Sequence, residues 1–381
     1  MKKIGLLAVH NHNYGSILQT YALQRFLEDK EYSTEILLYK KTNYVKQAMR
    51  LFNIPLLKAT VKMKYKSVYA KAFQKETFEK VLCSRERAFA DFINENVKFS
   101  KVYKGRQNLI NGTKNYDAFV LGSDQVWNPM NLGGDYFTMT FIPDNKKKIT
   151  YAPSFGVSVI PEYQRKKTAQ YLKRIDCISV RELSGQKIVK QLTGRTAQVV
   201  VDPTMLVDKS RWDELRGDRI VKEPYIMCYF ISTNPNHRIF AKRLAKKTGL
   251  KIVTIPHVDE FVKADVNFGD IVPSGVGPAQ FINLISNAEY VCTDSFHATV
   301  FSVLYERKFF TFNRFAQQTS ASTNSRLTSI LKILGLESRM TDSKRKITNE
   351  DLKEIDFTDS IKKLNSMRKK SEEYLINSLE E

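Results

Sequence analysis

Short apolar runs separated by amphipathic stretches set the rhythm of this chain. Ile4 to Val9 is apolar throughout, and Thr34-Glu35-Ile36-Leu37-Leu38-Tyr39 reads as a second strand. Between them Ile17, Leu18, Tyr21, Ala22, Leu23 and Phe26 recur at helical spacing over Ser16 to Glu28. A run that is apolar on both faces suits a strand buried in a parallel sheet. Strand, helix and strand in this order predict a βαβ unit, so the chain opens as a doubly wound α/β domain.

The same rhythm returns at Tyr116 to Gly122, Ile149 to Ala152, Cys177 to Val180 and Ala197 to Val201. Residues 44–113 interrupt it and read as a helical, basic, aromatic-studded excursion. Asp208 to Pro224 is charged and Pro-bearing, and reads as an inter-domain linker. A fresh α/β series follows, with strands at Tyr225 to Ile231, Lys251 to Ile255, Tyr290 to Thr293 and Phe309 to Phe312. Helices are expected over 236–248, 278–288 and 298–306, and a charged helical tail from 348 with Asp359 as its N-cap. The expected architecture is therefore two Rossmann-like domains, 1–215 and 220–347, with a cleft between them and a tail over 348–381.

Composition narrows this picture. At 381 residues the chain exceeds the usual size of one core, and 42% apolar residues suffice for two. No stretch reaches the roughly 18 uncharged apolar residues of a membrane span. The opening run is also too short for a signal peptide, so a cytoplasmic location is expected. Cys83, Cys177, Cys228 and Cys292 are scattered, which argues against disulfides and a cysteine zinc site. No carboxylate pair or His/Asp/Glu cluster has metal-ligand spacing, so neither a metal nor a cofactor is expected.

The net charge of +21 is concentrated: between Lys40 and Arg106 there are 17 Lys or Arg against 5 Asp or Glu. No nucleic-acid-binding signature accompanies these residues, and nucleic acid is not expected as a partner. Tyr65, Tyr69 and Phe73 fall on one helical face flanked by Lys64, Lys71 and Lys75. That face either packs on the first domain or makes a peripheral contact with an anionic membrane.

Ligands of open α/β sheets bind outside the carboxyl ends of the strands, so the turns there hold the candidate chemistry. The first, His10 to Gly15, has one glycine and no dinucleotide fingerprint. Asn13, Tyr14 and Gly15 suit sugar hydroxyls or form an ordinary helix-capping turn. In Gly122-Ser123-Asp124-Gln125-Val126-Trp127-Asn128, Asp124 can accept a proton and Trp127 can face a pyranose ring. The alternative makes Asp124 a helix cap and Trp127 core filling. Ser154-Phe155-Gly156 offers a hydroxyl and amides to an anion. Arg181, directly after an apolar strand, needs an anion beside it, either a ligand's or a structural carboxylate. In Thr293-Asp294-Ser295-Phe296-His297-Ala298-Thr299 a strand gives way to a helix, whose N-terminus favours a phosphate while His297 supplies a proton or a hydrogen bond.

Taken in order, these segments resemble the polysaccharide pyruvyl transferase family. The matching stretches are Asn13 to Gln24, Gly122 to Asn128, Ser154 to Gly156, Ser179 to Glu182, Val201 to Thr204, Thr293 to His297 and Asn324-Ser325-Arg326-Leu327. The resemblance implies a glycosyltransferase-B-like fold, phosphoenolpyruvate as co-substrate, and a saccharide or lipid-linked oligosaccharide as acceptor. The implied product is a cyclic pyruvate ketal on a cell-surface polysaccharide such as a capsule or exopolysaccharide. It also implies a division of the site. His297 and Asp124 are catalytic, and Arg181, Ser295, His297, Ala298, Thr299, Ser154 and Arg326 bind the donor. Asn13, Tyr14, Gly15, Gln125 and Trp127 bind the acceptor. The chain departs from members that carry Arg-Leu-His where it has Ser295-Phe296-His297, and Arg326 is the candidate to replace the missing cation. A nucleotide-sugar glycosyltransferase on the same frame is the alternative, with the stretch Ile255 to Glu260 as its nucleotide contact.

Overall fold

The computed structural model of the chain describes residues 1–42, 75–130, 136–257, 262–314 and 324–381. The first sheet contains β1 (Lys3–Leu7), β2 (Ser33–Lys40), β3 (Phe99–Lys104), β4 (Ala118–Leu121) and β5 (Lys147–Thr150). They lie in the order β3-β2-β1-β4-β5, and every pairing is parallel. Two short strands, β6 (Ser179–Val180) and β7 (Gln198–Val199), continue beyond β5, because the Thr150 amide donates to the Cys177 carbonyl at 3.0 Å. The second sheet is β11-β10-β8-β9, also parallel, from β8 (Tyr225–Tyr229), β9 (Lys251–Thr254), β10 (Tyr290–Thr293) and β11 (Lys308–Thr311). These are two Rossmann-like domains. The continuous apolar runs are the central strands, and β4 and β10 are buried at every position.

Three sequence expectations need correction. The excursion is not wholly helical: Lys75–Asn96 and Arg106–Gly112 are helices, but Phe99–Lys104 between them is the edge strand β3. Its outward Lys101 and Lys104 belong to an edge that keeps water and charge on its open side, which hid the strand's pattern. The linker carries a helix, Lys209–Arg216, pinned by Trp212, which is wholly buried and donates from its indole to the Thr204 carbonyl at 3.2 Å. The tail helix Thr358–Glu380 is preceded by Phe357, and Asp359 sits in its first turn, where it meets the positive end of the helix dipole. The face bearing Tyr65, Tyr69 and Phe73 lies outside the described residues.

That tail returns to the first domain. Ser371 Oγ accepts from the Val201 amide at 3.0 Å, and the Tyr374 hydroxyl donates to the Thr150 carbonyl at 3.1 Å. One apolar core runs from Ile4 and Leu18 through Phe281 and Phe301 to Leu375, so the helices beneath the cleft pack as a single layer across both sheets. No described helix is long and apolar enough to cross a membrane.

Candidate functional site

A cleft of about 700 Å³ opens between the carboxyl ends of the two sheets. Asn13, Ser16, Asp124 and Gln125 line it from the first domain, and Ser295, Phe296, His297, Arg314 and Arg326 from the second.

Each side chain arrives there for a local reason. After β4 the backbone turns sharply enough that Asp124 takes φ +79°, a left-handed conformation that an aspartate tolerates better than most residues. The turn is held because the Asp124 carbonyl accepts from the Ser154 amide at 2.8 Å. Its carboxylate accepts from the Gln125 amide at 2.8 Å and the Ser16 hydroxyl at 2.5 Å. Across the cleft β10 ends, Ser295 caps the helix Phe296–Leu304, and His297 stands in its first turn. The His297 ring rests on Gly15 of the opposite domain, where an added Cβ would come within 1.9 Å of Nδ1. Glycine is required there by close approach.

Behind the cleft wall lies a second, buried ionic layer. Arg181 donates from Nη1 to Asp202 Oδ2 at 2.6 Å, with side chains 2% and 0% exposed. Asp202 also accepts from Ser123 Oγ at 3.0 Å and from the Thr204 amide and hydroxyl at 3.0 and 2.8 Å. His297 Nε2 lies 3.7 Å from the same carboxylate. Glu182 accepts from Ser154 Oγ at 2.8 Å, and the Arg181 guanidinium stands 4.6 Å over the Phe296 ring.

The two layers differ in charge balance. Burial opposes ionisation of Asp124, but Arg181, His297, the Ser16 hydroxyl and Arg326 together hold its carboxyl below the ordinary carboxylate range. Burial and the like charges of Arg181 and Arg314 push Arg326 well below the ordinary arginine value. Arg326 is 6% exposed and its Nε has no hydrogen-bond partner. A cation crowded by cations at the mouth of a helix N-terminus is a seat for an anion. Asp294, directly after β10, accepts from the Ile231 and Ser232 amides that follow β8, at 2.6 and 2.9 Å. Despite its burial, those amides, His237 and Arg314 hold it down to about 2.

The sequence-predicted residues therefore divide. His297, Asp124, Ser295, Arg326, Asn13 and Gln125 converge on the cleft. The others stand behind it. Trp127 is 1% exposed, packs on Phe155 and donates to the Phe137 carbonyl, so it fills the core. Tyr14 is stacked on Phe281 at 4.6 Å and donates to the Val276 carbonyl, which makes it a joint between the domains. Gly15 is covered by His297. Ser154 is spent on Glu182, Thr299 donates to the Ser295 carbonyl, and Ala298 is enclosed in the helix. Arg181 answers to Asp202, the structural carboxylate that sequence had left as its alternative partner. His257 is likewise engaged, by Asp265 at 2.6 Å and the Ile231 carbonyl at 3.1 Å. Sequence reasoning assigned no role to Ser16, Asp202, Glu182 or Arg314. Asp202 carried a signal, an acid after an apolar strand and before Pro203, and Arg314 carried none.

A model of the family described as polysaccharide pyruvyl transferase matches residues 13–314. The search of curated proteins finds no match. Among solved structures, the UDP-GlcNAc 2-epimerase of Neisseria meningitidis is similar at 9% identity and TM-score 0.47, covering 96% of this chain and 100% of that one. The UDP-GlcNAc 2-epimerase of Methanocaldococcus jannaschii has 11% identity, TM-score 0.47, and coverage of 96% and 100%. Acinetobacter baumannii MurG has 12% identity, TM-score 0.43, and coverage of 98% and 95%.

Proposed function

The chain belongs to the polysaccharide pyruvyl transferase family, and on that premise we propose that it transfers the pyruvyl group of phosphoenolpyruvate to two hydroxyls of a saccharide, forming a cyclic ketal. The observation that carries this reading is Arg326, a buried cation in the cleft wall with an unpartnered Nε and two like-charged neighbours. A small, multiply charged donor relieves that crowding as it binds. Ser295 and the N-terminus of the helix Phe296–Leu304 receive the same anion, and they take the place first expected for Arg181.

The reaction then runs on the two groups that face each other across the cleft. His297 gives a proton to the methylene carbon, which leaves C2 with oxocarbenium character. Asp124, kept ionised by the surrounding cations, takes the proton of the first sugar hydroxyl as its oxygen bonds to C2. The C2–O bond to phosphorus breaks, and phosphate leaves with the electron pair. The second hydroxyl attacks C2 and closes the ketal, its proton going to the departing phosphate. Asp202, 3.7 Å from His297 Nε2, orients that ring.

Purified protein incubated with phosphoenolpyruvate and a panel of saccharides should release phosphate in proportion to pyruvylated product. His297→Ala should lower turnover by about 100-fold or more. Phosphate release with no pyruvylated saccharide, or preferential thermal stabilisation by nucleotide sugars, contradicts the reading.

A further inference from the structure

We propose that the acceptor is a pyranoside seated on an aromatic platform built from Tyr39 and Phe137, in the first domain's half of the cleft. This inference rests on the transferase reading of the cleft and names where its second substrate binds. Both residues line the same cavity as Asp124 and His297, and both are partly exposed.

The platform is rigid before any ligand arrives. Tyr136 lies between two rings, stacked on Tyr39 at 5.9 Å and 15° and on Phe141 at 6.0 Å and 7°. Its hydroxyl donates to the Leu37 carbonyl at 2.6 Å, which ties the stack to β2. Phe137 meets Tyr136 edge to face at 4.9 Å and 76°. Phe141 is 2% exposed and forms the buried end, and Tyr39, at the other end, lines the cleft.

Around these rings the cleft presents neutral amides, Asn11, Asn13 and Gln125. Apolar ring faces beside neutral donors and acceptors match a pyranose, which has an apolar C–H face and a rim of hydroxyls. Arg314 and Arg326 line the cleft from the second domain, and Lys41 lines it from the first. The two arginines stand on the wall opposite the platform, and Asp124 stands on the platform's own wall to meet the hydroxyl.

Saturation-transfer NMR with a panel of methyl pyranosides, on the full chain with and without phosphoenolpyruvate, tests the assignment. At least one pyranoside should receive saturation through its ring C–H protons. Tyr39→Ala should weaken its binding about ten-fold, while Tyr39→Phe keeps it. Phe137→Ala provides a second loss should Tyr39→Ala fail to fold. Unchanged pyranoside binding in folded Tyr39→Ala and Phe137→Ala proteins overturns the platform, as does the absence of binding by every pyranoside while phosphoenolpyruvate binds. Pyranoside binding that depends on Tyr39, with phosphoenolpyruvate ignored, upholds the platform and counts against the donor instead.

Discussion

Arg181 and Arg326 are near neighbours with opposite surroundings. Arg181 is enclosed by carboxylates, with Asp202 at 2.6 Å and Glu182 at 3.9 Å, and these charges, with Asp124, raise it against the effect of burial. Arg326 is equally hidden, yet burial, Arg181 and Arg314 push it down, with Asp124 and Glu182 only partly compensating. A buried arginine that already has its anion is a structural part. One that lacks it is where the proposed donor's anion would sit. Sequence alone ranked these two the other way round, because an arginine straight after an apolar strand looks more exposed to demand than one within a helix.

The largest expected effect breaks the structural member of the pair. Arg181→Met removes the partner of a fully buried carboxylate, and should cost about 3–5 kcal/mol of folding stability in urea titrations. Asp202→Asn added to it should recover part of that loss. Arg326→Met should behave in the opposite way. It should not lower the melting temperature, because a crowded cation has gone. Its affinity for phosphoenolpyruvate should fall by about 1.5–3 kcal/mol in calorimetry. If both variants lose stability equally and bind the donor equally, the distinction is wrong.

A third test addresses the residue that both layers share. Gly15→Ala would place a methyl against the His297 ring, displacing it from Asp202 and from the cleft. A stability loss of about 1–3 kcal/mol is expected from the overpacking. Turnover should drop further than donor affinity, as kinetics with varied phosphoenolpyruvate will reveal. The smallest effect concerns Asp294, a buried carboxylate of the second domain that also serves structure. Its folded value of about 2 lies below that of an unfolded aspartate. Its contribution is therefore present above about pH 4 and is lost as pH falls toward 2. The stability gap between the parent protein and Asp294→Asn, about 1–2 kcal/mol at pH 6, should close over that range in denaturant titrations.

Much of the fold was legible because its central strands are apolar on both faces, as in Phe119-Val120-Leu121 and Val291-Cys292. β3 was not, since an edge strand with Lys101 and Lys104 facing water imitates a charged helix. The site was half legible. Turns after strands located Asp124 and His297, but the turn's own residues could not say which would face inward. Trp127 and Tyr14 have the chemistry of a sugar site and the burial of a core. Tyr39 and Tyr136, whose rings stack in the cleft, are nearly a hundred residues apart, and no local spacing joins them.

Calorimetric titration of phosphoenolpyruvate into the parent protein and into Arg326→Met tests the central claim most directly. Saturable binding at one site in the parent, weakened ten-fold or more in the variant, is the predicted result. Equal binding by both proteins, or none by the parent while a nucleotide sugar binds, would contradict it.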